Sequence, residues 1–306
     1  MIHLFKILAV AAVCMVASLT VSAYDFEVDG FQYTILSEAE KTCEVSGHDE
    51  SISGDIAIPQ QANGYAVTAI GESFGIFSDA LTGVEILKGV TVIGNRAFSN
   101  MRNLRNVVLP EGLISIGSSA FEGCVVLENI KIPNSVTAIG DYAFSGCDAF
   151  TMFVIPAGVT TIGKAVVGGR NLEEIVVESG NPNFATYDGG LYDKDLTVFN
   201  SFPTNKATVE FPETVVTIGF GAFSYCINLT SVTLPKSVRT LEERAFSFAG
   251  LTSISLPEGL SFIGDMAFQG TYLTSVTLPA SLVEIGFEAF YWCQSLSSVT
   301  SLAITP

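Results

Sequence analysis

Residues able to do chemistry are few in this chain. Beyond the N-terminal leader there is one histidine, His48, in the polar run Ser46-Gly47-His48-Asp49-Glu50. A Ser-His-Asp or Cys-His relay would have to be built on it alone, and a lone loop histidine is ordinarily solvated. Five cysteines follow the leader: Cys43, Cys124, Cys147, Cys226 and Cys293. None forms the C-x-x-C spacing of a redox or zinc site, and an odd count closes no tidy disulfide framework. Two facing carboxylates could hydrolyse a glycosidic bond, but Asp141, Asp265, Glu284 and Glu288 fall where residue type drifts along the chain. Asp193-Lys194-Asp195 could feed a calcium site, yet the twelve-residue loop pattern is missing. H-E-x-x-H, phosphate-loop and dinucleotide-binding glycine motifs are absent. These residue types predict no enzyme, no cofactor and no metal. Binding is the function class that remains.

The elements that would position a binding surface are written in a repeat. Ile-Gly occurs at Ile70-Gly71, Ile93-Gly94, Ile116-Gly117, Ile139-Gly140 and Ile162-Gly163, at intervals of 23 residues. It resumes at Ile218-Gly219 and continues as Leu241-Glu242, Ile263-Gly264 and Ile285-Gly286, at intervals of 23, 22 and 22. An Ala-Phe pair follows most of these, ending at Phe98, Phe121, Phe144, Phe223, Phe246, Phe268 and Phe290, with Cys three residues later at 124, 147, 226 and 293. The other half of the unit reads L-x-x-V-x-L-P, as in Leu104-Val107-Leu109-Pro110 and Leu229-Val232-Leu234-Pro235. Alternation across V-x-L predicts a half-buried strand, which Pro ends because it has no N–H for the ladder.

A single 23-residue coil cannot pay its own ordering entropy, so coils must stack and share an interior. Ile, Ala, Phe, Cys and the L-x-x-V-x-L set are the expected inward rungs. Gly is expected to give a tight bend without a Cβ penalty. Cys alternates with Ala249 and Thr271 at its position, which reads as space-filling.

Composition narrows the partners. The chain has 306 residues, 14 Lys plus Arg against 31 Asp plus Glu, and a net charge of −17. Such a surface repels phosphate backbones and anionic headgroups, disfavouring nucleic acid and membrane surfaces. The start, MIHLFKILAVAAVCMVASLTVSA, combines Lys6, an apolar run from Ile7 to Val21 and small residues at Val21-Ser22-Ala23. This predicts a signal peptide over 1–23 and an exported chain from Tyr24 onward. Val13 before Cys14 and the apolar run continuing beyond it speak against lipidation. No later stretch has the ~20 apolar residues of a membrane span.

The combined motif, L-x-x-V-x-L-P with V-x-x-I-G-x-x-A-F-x-x-C, resembles the BspA-like leucine-rich repeat family of exported bacterial proteins over roughly Ile56 to Thr300. The segment DFEVDGFQYTIL (Asp25 to Leu36) looks like that family's N-terminal cap, with a hairpin turning at Asp29-Gly30. The expected fold is a β-rich solenoid of about nine 22–23-residue coils with short strands, a small β cap over 24–55, and a leucine-rich repeat array over 56–306. The array is interrupted at 178–207 by an N-P-x-F…D-G-x-L-Y hairpin projecting from one edge, turning at Asp188-Gly189-Gly190. The closing SLSSVTSLAITP begins one more strand without a polar capping repeat. A partner, a continuing chain or a turn of these residues themselves would cover that edge.

The resemblance implies a non-catalytic, surface-associated or secreted adhesion protein that contacts extracellular or host proteins. The alternative is a carbohydrate-binding accessory protein. Two surface rows carry these readings. The outward strand residues include Val108, Lys131, Val154 and Val176, with Met152 beside them, an apolar patch unless β-branched residues stand there for strand propensity. The residue before the Cys position is aromatic at Tyr225, Phe248 and Trp292, with Tyr291 adjacent. These rings would stack on sugars or contact a protein, unless they are edge packing.

Overall fold

The computed structural model describes residues 24–302; the signal peptide expected over 1–23 lies outside them. The chain winds into a solenoid with no helix among the described residues. It opens with an antiparallel hairpin, Phe26–Val28 against Phe31–Ser37, joined by Asp29 and Gly30 with φ of 50° and 78°. Two left-handed residues of this kind make the type I′ turn that matches strand twist. Thr42–His48 pairs antiparallel with the second strand and parallel with Tyr65–Ile70. His48 therefore ends a strand rather than sitting in a loop. Its Nδ1 lies 2.9 Å from the Asp49 carbonyl and its ring packs on Phe74.

Most coils then contribute two or more strands. The residues at Ile-Gly form a continuous parallel ladder through Ile70, Ile93, Ile116, Ile139 and Ile162, and a second one through Ile218, Leu241, Ile263 and Ile285. The glycines carry no bend. A Cβ on Gly94, Gly117 or Gly140 would lie 2.8, 2.7 or 2.5 Å from a backbone nitrogen of the coil beneath. Gly is there because adjacent coils approach backbone to backbone. The bend belongs to the second residue after it: Arg96, Ser119, Tyr142, Ala165, Gly221, Arg244, Met266 and Glu288 all have φ between 45° and 59°.

Among the described residues there are eleven rungs, two more than the Ile-Gly count. Val45 accepts the Gly71 N–H at 2.8 Å and Phe199 accepts the Gly219 N–H at 2.8 Å, as Ile70 accepts from Gly94. Inside, the phenylalanines stack from coil to coil. Phe98–Phe121–Phe144 have centroid spacings of 5.1 and 5.3 Å, and Phe223–Phe246–Phe268–Phe290 of 4.8, 5.4 and 5.2 Å, with planes within 11°. This follows the ~4.8 Å strand spacing, and each fully buried ring contributes about 1.5–3 kcal/mol.

The V-x-L strands are less regular. They pair as Gly54–Ile58 with Leu81–Ile86 and Asn106–Val108, then as three separate pairs: Met152–Ile155 with Glu174–Val177, Ser231–Thr233 with Ser253–Ser255, and Ser275–Leu278 with Ser298–Ser301. The strand expected over Ile130-Lys131-Ile132 does not form. Only the bridge Asn106↔Asn129 reaches that coil. In the next coil Phe150 and Phe153 stand where Leu and Val stand elsewhere, packed with Phe144 at 6.3 and 5.0 Å. That added ring volume accounts for the separation of the two backbones.

The interruption is woven in rather than projecting. Phe184–Tyr187 pairs with Gly190–Asp193 across Asp188 (φ 47°) and Gly189 (φ 73°), and Val198–Ser201 then joins the parallel ladder. Leu191, Tyr192, Phe199 and Phe202 are buried. Buried Asn181 explains the N-P-x-F motif: its Nδ2 donates to Pro156 O and Val159 O, while its Oδ1 accepts from Asn183 N and Phe184 N. Asp193 is used up locally, accepting Thr197 N, Val198 N and Thr197 Oγ1 at 2.6–2.9 Å. Asp141 and Asp265, at positions where residue type drifts, accept Lys164 N and Phe287 N of the following coil at 2.7 and 2.6 Å.

Cys43, Cys124, Cys147 and Cys226 are buried free thiols; Cys293 is half-buried. The Sγ of Cys124, Cys147 and Cys293 donate to the carbonyls of Phe98, Phe121 and Phe268 at 3.1, 3.3 and 3.0 Å. Burial pushes Cys43 up to about 11 and Cys124 up to about 12, and raises Cys147 and Cys226 as well. Thiolate is the reactive form, so a disulfide-exchange reagent at pH 8 is expected to titrate Cys293 alone in the native protein and the other four only after denaturation. Fast native release of two or more equivalents would contradict these placements.

Candidate functional site: an aromatic edge beside a notch

The interruption leaves a mark on the solenoid surface. Elsewhere four residues separate the Ile rung from the Phe rung, as between Ile93 and Phe98. In the coil that ends the insertion, Phe199 fills the Ile rung, and Phe202 fills the Phe rung, donating its N–H to Ala222 O as Phe98 donates to Ala120 O. Only two residues separate them. This coil lacks the left-handed turn its neighbours carry, so it is shallow, and a notch of about 720 Å³ opens above it.

One wall of the notch is a clamp that bridges the missing turn. The Tyr142 ring meets Phe220 edge-on at 6.1 Å, Lys164 Nζ lies 4.7 Å over the Phe220 ring, and the Arg244 guanidinium 6.0 Å from it. Burial raises the Tyr142 hydroxyl, and Arg244 beside it offsets part of that rise. The floor is Gly168, Gly169, Ser201 and Thr204; Thr204 Oγ1 donates to Gly169 O. At the rim, Arg170 Nε pairs with Asp148 Oδ2 at 3.4 Å.

The opposite wall begins the aromatic edge. Tyr225 is 64% exposed and stacks on Phe248 at 5.3 Å and 12°. Phe248 lies over Gly270, where a Cβ would meet its ring at 2.5 Å, and then meets Trp292 edge-on at 6.3 Å and 82°. The three sequence-predicted rings thus form one contiguous edge. The first two are parallel, and the third is turned across them because Gly270 leaves the space into which Phe248 leans.

All three rings sit in left-handed backbone, with φ of 61°, 56° and 61°. The same column holds Gly123, Gly146 and Gly270 at φ 72°, 74° and 68°, and Asn100 at 59°. Gly and Asn adopt this conformation readily, whereas a bulky residue costs about 1–2 kcal/mol there. The aromatic residues are held against a backbone preference, a feature that clusters at working surfaces.

Exposed Ile227 and Tyr272 broaden the edge into a patch with Tyr291. Sequence reading passed over both, although each stands four residues after its Phe, in a column adjacent to the aromatic one.

The strand-row residues are dispersed. Val108 (56% exposed) and Met152 (53%) lie on different ladders, separated by the coil that carries exposed Lys131 off any strand. Val154 and Val176 are partners across one ladder, both half-buried.

The model of the BspA type leucine rich repeat region matches six copies, over residues 69–187 and 197–303. No curated protein matches the chain. Among solved structures it is similar to the pneumococcal vaccine antigen PcpA, at 20% identity over 90% of this chain and 81% of that one, with a TM-score of 0.74. It is also similar to a leucine rich cell surface protein of Faecalibacterium prausnitzii A2-165, at 23% identity over 92% and 95% with a TM-score of 0.61. A third is a leucine-rich repeat protein of Bacteroides ovatus ATCC 8483, at 27% identity over 92% and 72% with a TM-score of 0.57. Among the described residues no helix is long and apolar enough to cross a membrane. With the family model covering well over half of its length and the same rungs repeated in space, this chain belongs to the BspA-type leucine-rich repeat family.

Proposed function

We propose that the protein is an exported, non-catalytic recognition protein of the cell surface or its surroundings, which holds an extracellular protein partner on its aromatic edge. The observation that carries this is the exposure of Tyr225, Ile227, Tyr272, Tyr291 and Trp292 together on one edge, three of whose ring positions are kept against backbone preference. Tyr and Trp in such patches supply most of the energy of protein interfaces. That one of its structural neighbours is a leucine rich cell surface protein agrees with an exported setting.

A carbohydrate reading is favoured by a different observation, the parallel Tyr225–Phe248 pair opening onto a notch of mixed polarity. The test of the binding surface compares two variants in a pull-down against extracellular proteins. Tyr272→Ala with Trp292→Ala is expected to lose the partner. Val108→Ala with Val154→Ala and Val176→Ala is expected to keep both fold and partner. The reverse pattern would move the site to the strand row.

A further inference from the structure

Tyr225 differs from the other rings of the edge in what lies on either side of it. Phe248 covers one face. On the other side stands the shallow coil, whose residue matching Tyr225 is Thr204, so Tyr225 lines the notch with an open face. A flat aromatic face above a glycine floor admits a flat, ring-shaped ligand. The polar groups around it suit hydroxyls. Ser145 and Ser201 line the notch with hydroxyls that have no partner among the described residues. Ser224 Oγ donates to Arg244 O at 2.9 Å and keeps lone pairs to accept with. The Asp148–Arg170 pair at the rim offers acceptor and donor side by side.

Charge selects further. The protein carries −17 overall, which disfavours acidic ligands. The cations lining the notch are already engaged, Arg170 with Asp148 and Arg244 with Glu243, and Lys164 beside it lies over Phe220. A ligand rich in hydroxyls, ring-shaped and without charge fits these conditions. The volume, about 720 Å³, falls within the ~300–1,000 Å³ of small-ligand sites.

We propose that the notch binds a neutral pyranose unit of a glycan, its C–H face stacked on the open face of Tyr225 and its hydroxyls directed to Ser145, Ser201 and the Asp148–Arg170 pair. This rests on the reading that the adjoining edge is a recognition surface, and it adds a second, chemically distinct contact to it. The unit could be carried by a glycoprotein partner or by a free polysaccharide; the chemistry at the notch is the same.

The test uses the purified exported chain on a printed array of neutral oligosaccharides, followed by saturation-transfer NMR with the methyl glycosides of the units that bind. Binding to neutral pyranosides is expected, with a loss of about tenfold or more in Tyr225→Ala. Tyr225→Gly, which suits the left-handed backbone, is expected to lose binding equally while keeping its melting temperature, separating a lost contact from a lost fold. A protein partner assayed before and after enzymatic deglycosylation, beside a protein-free polysaccharide, identifies the source. Absence of any neutral glycan ligand, or glycan binding indifferent to Tyr225→Gly, overturns the proposal. If in either case Trp292→Ala still abolishes capture of a protein partner, the edge remains a recognition surface and only the sugar is wrong. Loss of both kinds of binding in the wild-type chain would overturn both readings.

Discussion

Phe144→Asp is expected to destabilise the solenoid by about 5 kcal/mol or more, because it exchanges a fully buried ring for a charge with no partner. Phe144 is 0% exposed and touches three other rings: Phe121 at 5.3 Å and 6°, Phe153 at 5.0 Å and Phe150 at 6.3 Å. The loss is larger than one side chain, since stability in a repeat array is a sum of coil and nearest-neighbour terms. An aspartate at this rung weakens the interfaces above and below it. The buried core falls into two clusters that part at the insertion, one ending at Leu191 and the other starting at Tyr192. Amide hydrogen exchange is therefore expected to show lost protection first in the coils around Ile116, Ile139 and Ile162, with those around Leu241 and Ile263 holding longer. A variant that kept the wild-type melting temperature and far-UV spectrum would remove Phe144 from the interior.

How much of this was legible in the sequence follows from the same packing. Nine rungs announced themselves as Ile-Gly or its Leu-Glu variant, and two, Val45 and Phe199, did not. Both are the first rung of their ladder: the strands beside them, Phe31–Ser37 and Gly190–Asp193, run antiparallel. No earlier coil presses from below there, so Ser46 and Asn200 can stand where Gly is needed elsewhere. The signature therefore reports the contact with the preceding coil rather than the rung itself. Glu242 is the exception within a ladder, and its carboxylate accepts the Phe220 N–H at 2.8 Å instead.

The aromatic edge was legible because Tyr225, Phe248 and Trp292 share one repeat position. Its left-handed backbone was not, since three aromatic residues give no local signal for positive φ; only Gly and Asn in the same column hinted at it. The notch was invisible because it depends on a spacing, two residues between Phe199 and Phe202 in place of four, inside a segment that no longer aligned. The strand lost at Lys131 depends in turn on ring volume in the next coil, which periodicity does not register.

Two glycines six residues apart are expected to respond differently to substitution. Gly140→Ala is expected to cost about 2–3 kcal/mol, because its new methyl carbon would lie 2.5 Å from Ser118 N and 2.7 Å from Gly117 C. Those atoms are backbone, held by the Gly140 N–H to Ile116 O bond at 2.8 Å, and cannot swing aside as a side chain would. The usual gain from removing glycine's freedom in the unfolded chain, about 0.4–1 kcal/mol, is too small to offset this. Gly146, at φ 74°, meets nothing closer than 3.4 Å. It is glycine for its dihedral alone, and asparagine, which tolerates the left-handed region, already occupies the matching position at Asn100. Gly146→Asn is therefore expected to leave the melting temperature nearly unchanged. Equal losses at both positions would mean that glycine serves one purpose throughout the coil, and that coil-to-coil approach does not set the Ile-Gly signature.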